Sequence, residues 1–295
     1  MTLSTDPATV PSVLIAVCAV LGLLVGSFLN VVIARVPAGE SVVSPPSRCP
    51  RCGAPIAPRD NVPVVSWLLL RGRARCCGAR ISVRYPAVEL ATAAAFGVVA
   101  AWATGTWTPG LLGEDPAVAR ADALLPQTWS APWPLPAFLY LAAVSIALGV
   151  IDVEHHRLPF WIVVPSWWAA AVLLTGAALL LHHPEAALRM LLGGLALWGF
   201  YRLLHAIQPN GMGYGDVRLG GLIGLYLAWI DWGALVAGAV LGVLVAGMGA
   251  AALLVARRRG LKAEIPYGPY MLAGAWLGIL WGQPLASAYL RASGA

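Results

Sequence analysis

The chain has 295 residues, 59% of them hydrophobic and only 11% charged, with a net charge of +6. A mean hydropathy of +0.77 lies far above that of a water-soluble domain of this length and excludes one. The positive balance is spread over several short loops instead of one groove, which argues against a nucleic-acid partner and for membrane lipid.

A membrane-spanning helix needs about 20 mostly apolar residues. About eight such runs follow one another, near 12–34, 86–105, 135–152, 159–181, 186–206, 217–231, 233–256 and 269–290. The runs are long and unbroken, so they predict helices; barrel strands would alternate apolar and polar over about 10 residues. The first run has no basic leader and no A-x-A-like cleavage site, and is read as a retained span. The predicted fold is therefore an all-α polytopic membrane protein of about eight transmembrane helices, with a small loop domain between spans 1 and 2. Its expected organisation is an outer tail and first span at 1–34, a cysteine-containing domain at 35–85 and seven spans at 86–295.

Basic residues set the orientation. Of 19 Lys and Arg, nine fall between Arg35 and Arg84, and Arg157, Arg202, Arg218, Arg257, Arg258, Arg259 and Lys262 fall on the same side if eight spans alternate. Only Arg120, Arg189 and Arg291 fall on the other. The positive-inside rule then puts both termini outside and the loop 35–85 in the cytoplasm.

That loop carries "CPRCGAPI", with Cys49 and Cys52, and "RARCCGARIS", with Cys76 and Cys77. Four thiols in a reducing compartment suit a tetrahedral zinc site that would staple a segment too polar to build its own core. Adjacent cysteines make an irregular second pair, so four free thiols are the alternative. Cys18, inside the first span, reads as a packing residue.

Two acids stand at span ends. Asp152 lies in "LGVIDVEHHRLP" at the end of the third run, and Asp216 lies in "GMGYGDVRLG" before the sixth, behind Gly211, Gly213 and Gly215. Alternating spans bring both to the cytoplasmic rim. Carboxylates beside spans are costly and face a partner or a wet cavity. Two that face each other share a proton, the arrangement by which aspartic proteases activate water and polarise a carbonyl. The glycines would let backbone approach a substrate. The alternatives are a glycine-rich connector with a solvated Asp216, an ion relay in a transporter, or a non-catalytic assembly scaffold. Rim acids favour access to a peptide over a relay at mid-membrane. Glu89, at the start of the second run, is a candidate to bind a substrate amine or cofactor, or to pair with Arg84 or another arginine.

These stretches resemble the bacterial type IV prepilin peptidases, the prepilin leader peptidase/N-methyltransferases, a GxGD-type group of aspartic membrane proteases. The likeness is carried by "GSFLNVVIARVP" at 26–37, "DNVPVVSWLLLRGRARCCGARISVRYPAVEL" at 60–90, the two aspartate stretches, and "IPYGPYMLAGAWLGILWG" at 265–282. It implies cleavage of the basic leader of prepilins and pseudopilins after a glycine, at the cytoplasmic face of a bacterial inner membrane. It also implies N-methylation of the new terminus from S-adenosylmethionine, with a peptidase alone as the alternative. The resemblance makes Asp152 and Asp216 catalytic and Gly211, Gly213 and Gly215 loop-shaping; Arg218 and Glu89 are further substrate-facing or loop-shaping candidates. No strand–GxGxxG–helix pattern marks a site for the methyl donor.

The chain departs from the family pattern at three places. Ala74 stands where a second C-x-x-C would begin, so either Cys76 substitutes as a ligand or the site has three protein ligands. Arg218 replaces a usual lysine, and Phe160 replaces a frequent aspartate.

Overall fold

A computed structural model of the chain describes residues 9–49, 51–106, 132–209, 212–255 and 266–293. All eight apolar runs are helices: α1 (Thr9–Arg35), α3 (Arg84–Ala103), α4 (Leu135–His155), α5 (Phe160–Leu180), α6 (Pro184–Ile207), α7 (Tyr214–Ile230), α8 (Trp232–Val255) and α9 (Gly268–Ser293). A short α2 (Val65–Leu69) and a 3-10 turn at Pro58–Asp60 lie in the loop after α1. Among the described residues the β-structure is confined to two isolated bridges, Arg48 with Pro55 and Arg73 with Arg80. Among the described residues six helices are long and apolar enough to cross a membrane: α1, α3, α4, α5, α6 and α8. The chain is a multi-span membrane protein.

The chain divides into two compact units, Met1–Trp107 with Phe138–Ala147, and Thr108–Ala137 with Leu148–Ala295. In the first, α1 packs along α3. The approach is close because Gly22 and Gly26 present no side chain: a Cβ at either would stand 2.7 Å from the Cα of Ala93 or Glu89. Small residues spaced by four let helix backbones meet where lipid offers no hydrophobic drive. Trp102 then meets Phe138 edge to face, with ring centroids 5.4 Å apart.

In the second unit α7 is the central helix, packed against α5, α6, α8 and α9. Every residue from Leu219 to Ile230 is buried. This explains its short length of 17 residues: surrounded by protein, it has no lipid thickness to match. Its buried polar groups find partners at its neighbours. Trp229 Nε1 donates to the Leu174 carbonyl at 3.0 Å, and Tyr226 Oη to the Ala137 carbonyl at 3.0 Å. Arg189, which the charge pattern treats only as an outer-side arginine, donates to the carbonyls of Ala228, Trp229 and Ile230 at 2.6, 2.6 and 2.8 Å. These are carbonyls that the last turn of α7 leaves without helical partners, and a cation there also opposes the negative helix end.

Candidate active site

Asp152 sits in the last turn of α4, where the chain leaves the helix through His156 in the left-handed region (φ 51°). Its side chain is buried. The Gly268 backbone N–H donates to Asp152 Oδ2 at 3.0 Å. Gly268 opens α9, so this is one of the first-turn amides that a helix cannot satisfy internally.

Asp216 sits in the first turn of α7 and is half-buried. Gly213 is the extended N-cap residue, and its N–H donates to Asp216 Oδ2 at 3.1 Å, as the acid of a capping box does. Each carboxylate thus accepts an amide at the start of a helix, an end that favours negative charge. The two are near enough for their charges to interact.

Leu158 joins the three segments. A Cβ on Gly215 would lie 2.9 Å from Leu158 Cβ, and one on Gly268 would lie 3.3 Å from Leu158 Cδ2 and 2.8 Å from Asp152 Oδ2. Both glycines are needed for close approach. Gly211 lies outside the described residues. Two tyrosines that the motif reading did not assign, Tyr201 and Tyr267, are hydrogen-bonded to each other beside Asp216. Tyr267 immediately precedes Gly268, and no spacing signal links it to Asp216.

The departures at 160 and 218 meet in space. The Arg218 guanidinium lies 4.9 Å from the Phe160 ring centroid and 4.7 Å from that of Tyr214. An arginine between two rings needs no carboxylate partner to be held, and its chain is fixed further by Trp167 Nε1, which donates to the Arg218 carbonyl at 3.0 Å.

Glu89 belongs to the first unit. It is buried, and accepts the Val64 N–H at 2.7 Å and a hydrogen bond from Ser27. Val64, a β-branched residue, has φ 59°, a costly conformation that the Glu89 bond helps to hold.

The four thiols meet. Their Sγ atoms all lie within 4.8 Å of one another, with Cys49 and Cys77 at 3.7 Å and Cys52 and Cys76 at 3.3 Å. Four sulfurs about 2.3 Å from one tetrahedral ion stand about 3.8 Å apart, so the cluster can hold a metal such as zinc. The Cys52 and Arg51 backbone amides draw the Cys49 thiol down to about 6, while the facing Cys52 thiol helps push Cys76 up to about 12.

Two matching turns build this cluster. In the first, Cys49 N–H donates to Ala54 O and Gly53 N–H to Cys49 O, at 2.8 and 2.9 Å. In the second, Ala74 N–H donates to Ala79 O and Gly78 N–H to Ala74 O, both at 2.8 Å. Gly53 and Gly78 both take the left-handed conformation, at φ 71° and 67°. Ala74 therefore occupies the place of Cys49, Cys77 that of Cys52, and the extra thiol Cys76 reaches the cluster from the place of Arg51.

These features define first a class, a multi-span helical membrane protein with two carboxylates held at helix ends. The chain belongs to the type IV leader peptidase family: that family matches residues 139–256, and the bacterial peptidase A24 N-terminal domain matches residues 20–103. Among its relatives are prepilin leader peptidase/N-methyltransferases. That of Pseudomonas putida is 33% identical over 317 aligned residues covering 100% of both chains. That of Pseudomonas aeruginosa is 33% identical, covering 93% of this chain and 92% of the relative. That of Myxococcus xanthus is 37% identical, covering 83% of this chain and 65% of the relative. No solved structure matches the chain.

Proposed function

We propose that this protein removes the leader peptide of prepilins or pseudopilins by aspartic-protease chemistry, with Asp152 and Asp216 as the catalytic pair. The observation that carries the reading is that the two carboxylates, each held by one amide at a helix start, are near enough for their charges to interact. One carboxylate takes a proton from water while the protonated other polarises the scissile carbonyl, and the tetrahedral intermediate collapses with the proton passed to the leaving amine. A glycine before the cut suits such a site, because backbone without a side chain approaches the carboxylates most closely. The substrate's apolar helix stays in the bilayer and its basic leader in the cytoplasm. Both termini lie outside, and the active site is at the cytoplasmic face of the inner membrane, as the distribution of arginines favours.

The family also implies N-methylation of the new terminus, for which S-adenosylmethionine supplies an electrophilic methyl group. No strand is present among the described residues to form a βαβ cradle for that donor, and no step of the transfer is assigned to a residue. Zinc on Cys49, Cys52, Cys76 and Cys77 closes the loop between the first two spans and serves a structural purpose.

The test is cleavage of a model prepilin by the purified protein supplied with S-adenosylmethionine, read by intact mass, for wild type, Asp152→Asn and Asp216→Asn. Wild type is expected to release the leader and add about 14 Da for one N-methyl group, and both variants to leave the leader attached. Leader loss without added mass makes the protein a peptidase alone. Cleavage that persists in both variants overturns the assignment.

A further inference from the structure

Beside the thiol cluster lies a cavity of about 640 Å³ lined, among the described residues, by Arg51, Arg73, Gly78, Ala79 and Arg80. Three arginines and, among the described residues, no acid line it. Arg73 and Arg80 stand directly opposite each other in an antiparallel bridge, a placement that destabilises like charges. Arg51 arrives from the other cysteine turn, so the folding that gathers the thiols also gathers these cations. The nearby Asp60 does not relieve them: its carboxylate is held by Arg75, with Nε and Nη2 at 2.9 to 3.0 Å. Between Arg35 and Arg84 the other acid is Glu40, against nine arginines.

The position of the cavity indicates the anion. Arg80 is four residues before Arg84, where the span Arg84–Ala103 begins, and four residues reach at most about 14 Å. Arg80 therefore lies within about 14 Å of the start of that span, within reach of the membrane face. We propose that Arg51, Arg73 and Arg80 form a binding site for a phosphate-bearing anion, namely the phosphodiester of an anionic phospholipid, which fastens the cysteine-containing loop to the membrane face. Guanidinium groups suit this ligand: they stay charged at any working pH and pair phosphate oxygens in a planar fork. A ligand that neutralises the facing Arg73 and Arg80 also removes the repulsion between them.

The experiment uses the full-length protein in detergent, with bound lipid counted by native mass spectrometry. Phosphatidylglycerol and phosphatidylcholine are offered in turn to wild type, to Arg51→Gln/Arg73→Gln/Arg80→Gln, and to Arg48→Gln/Arg59→Gln/Arg71→Gln, which removes the same charge outside the cavity. Zinc content monitors folding of the loop in each. Wild type and the control triple are expected to retain phosphatidylglycerol at least about tenfold over phosphatidylcholine, one decade for each 1.4 kcal/mol of preference, and the cavity triple to lose that preference with its zinc retained. Equal retention by wild type and the cavity triple overturns the proposal. Loss in the control triple as well also overturns it, since diffuse charge then suffices. Inorganic phosphate that binds wild type and displaces the lipid at low millimolar concentration assigns the site to a free anion and overturns its membrane part.

Discussion

Gly268 and Asp152 are 116 residues apart and joined by one hydrogen bond, from the glycine amide to Asp152 Oδ2 at 3.0 Å. The bond ties the first turn of α9 to the last turn of α4. A Cβ at position 268 would stand 2.8 Å from that same oxygen, so Gly268→Ala must displace the carboxylate. A shift of about 1 Å in a catalytic group costs on the order of 100-fold in rate. Gly268→Ala is therefore expected to insert normally and to cleave a model prepilin at least about tenfold more slowly. Gly176→Ala, where a Cβ meets nothing within 4 Å, is expected to cleave at the wild-type rate. Equal rates for the two variants would refute the need for a residue without a side chain at position 268.

The equivalence of the two cysteine turns makes the metal site testable. Cys76→Ala is expected to fall from about one zinc per chain to nearly none, because a structural site needs four ligands. Ala74→Cys added to Cys76→Ala places a thiol where Cys49 stands in the matching turn and is expected to restore zinc. Elemental analysis of the purified proteins decides it, and a double variant without metal contradicts the equivalence.

Arg218 between Phe160 and Tyr214 predicts a measurable coupling. A cycle of Phe160→Leu, Arg218→Gln and the double variant is expected to give about 0.5–1 kcal/mol between positions 160 and 218 in unfolding experiments. A coupling near zero would mean that the rings lie beside the guanidinium without holding it. Arg218→Lys is expected to keep the charge and weaken the stacking.

The loop should also respond to acid. The hydrogen-bonded Arg75 guanidinium holds the Asp60 carboxyl below the usual carboxylate range. A carboxyl lowered in this way contributes its stability above its unfolded pKa, about 3.9, and loses it as the pH falls through its lower folded pKa. Asp60→Asn is therefore expected to speed hydrogen exchange in residues 48–82 at neutral pH, and to match wild type only once the pH has fallen below the lowered folded pKa of Asp60, where both lack the charge. High salt should shrink the difference. A difference that persists unchanged at low pH would assign the effect to packing.

Much of the site was legible at the level of types and spacing. Asp152 and Asp216 stand out because a carboxylate in apolar surroundings is costly and therefore informative. The paired thiols stand out because C-x-x-C spacing has few structural uses in a reducing compartment. What the spacing left open was whether Cys76 could replace the missing thiol at Ala74, and the turn geometry brings its Sγ into the cluster. Phe160 and Arg218 looked like two unrelated departures, because positions 58 residues apart carry no local signal of contact. The structure places the two side chains in contact. Arg189 looked like a topological charge, since its carbonyl partners lie about 40 residues away on α7.

The sequence by itself determined that this chain lives in a membrane as a helical bundle, with eight apolar runs and two acids at their ends. Burial of apolar side chains and the cost of isolated charges are properties of short stretches, and they add along the chain. Only the tertiary structure decided that α7 would be the buried central helix, that the Gly268 amide would hold Asp152, and that Tyr201 and Tyr267 would stand beside Asp216. Those outcomes depend on which glycines let helices approach and which helix starts present unpaired amides to a carboxylate. Both are settled by packing between segments far apart in sequence.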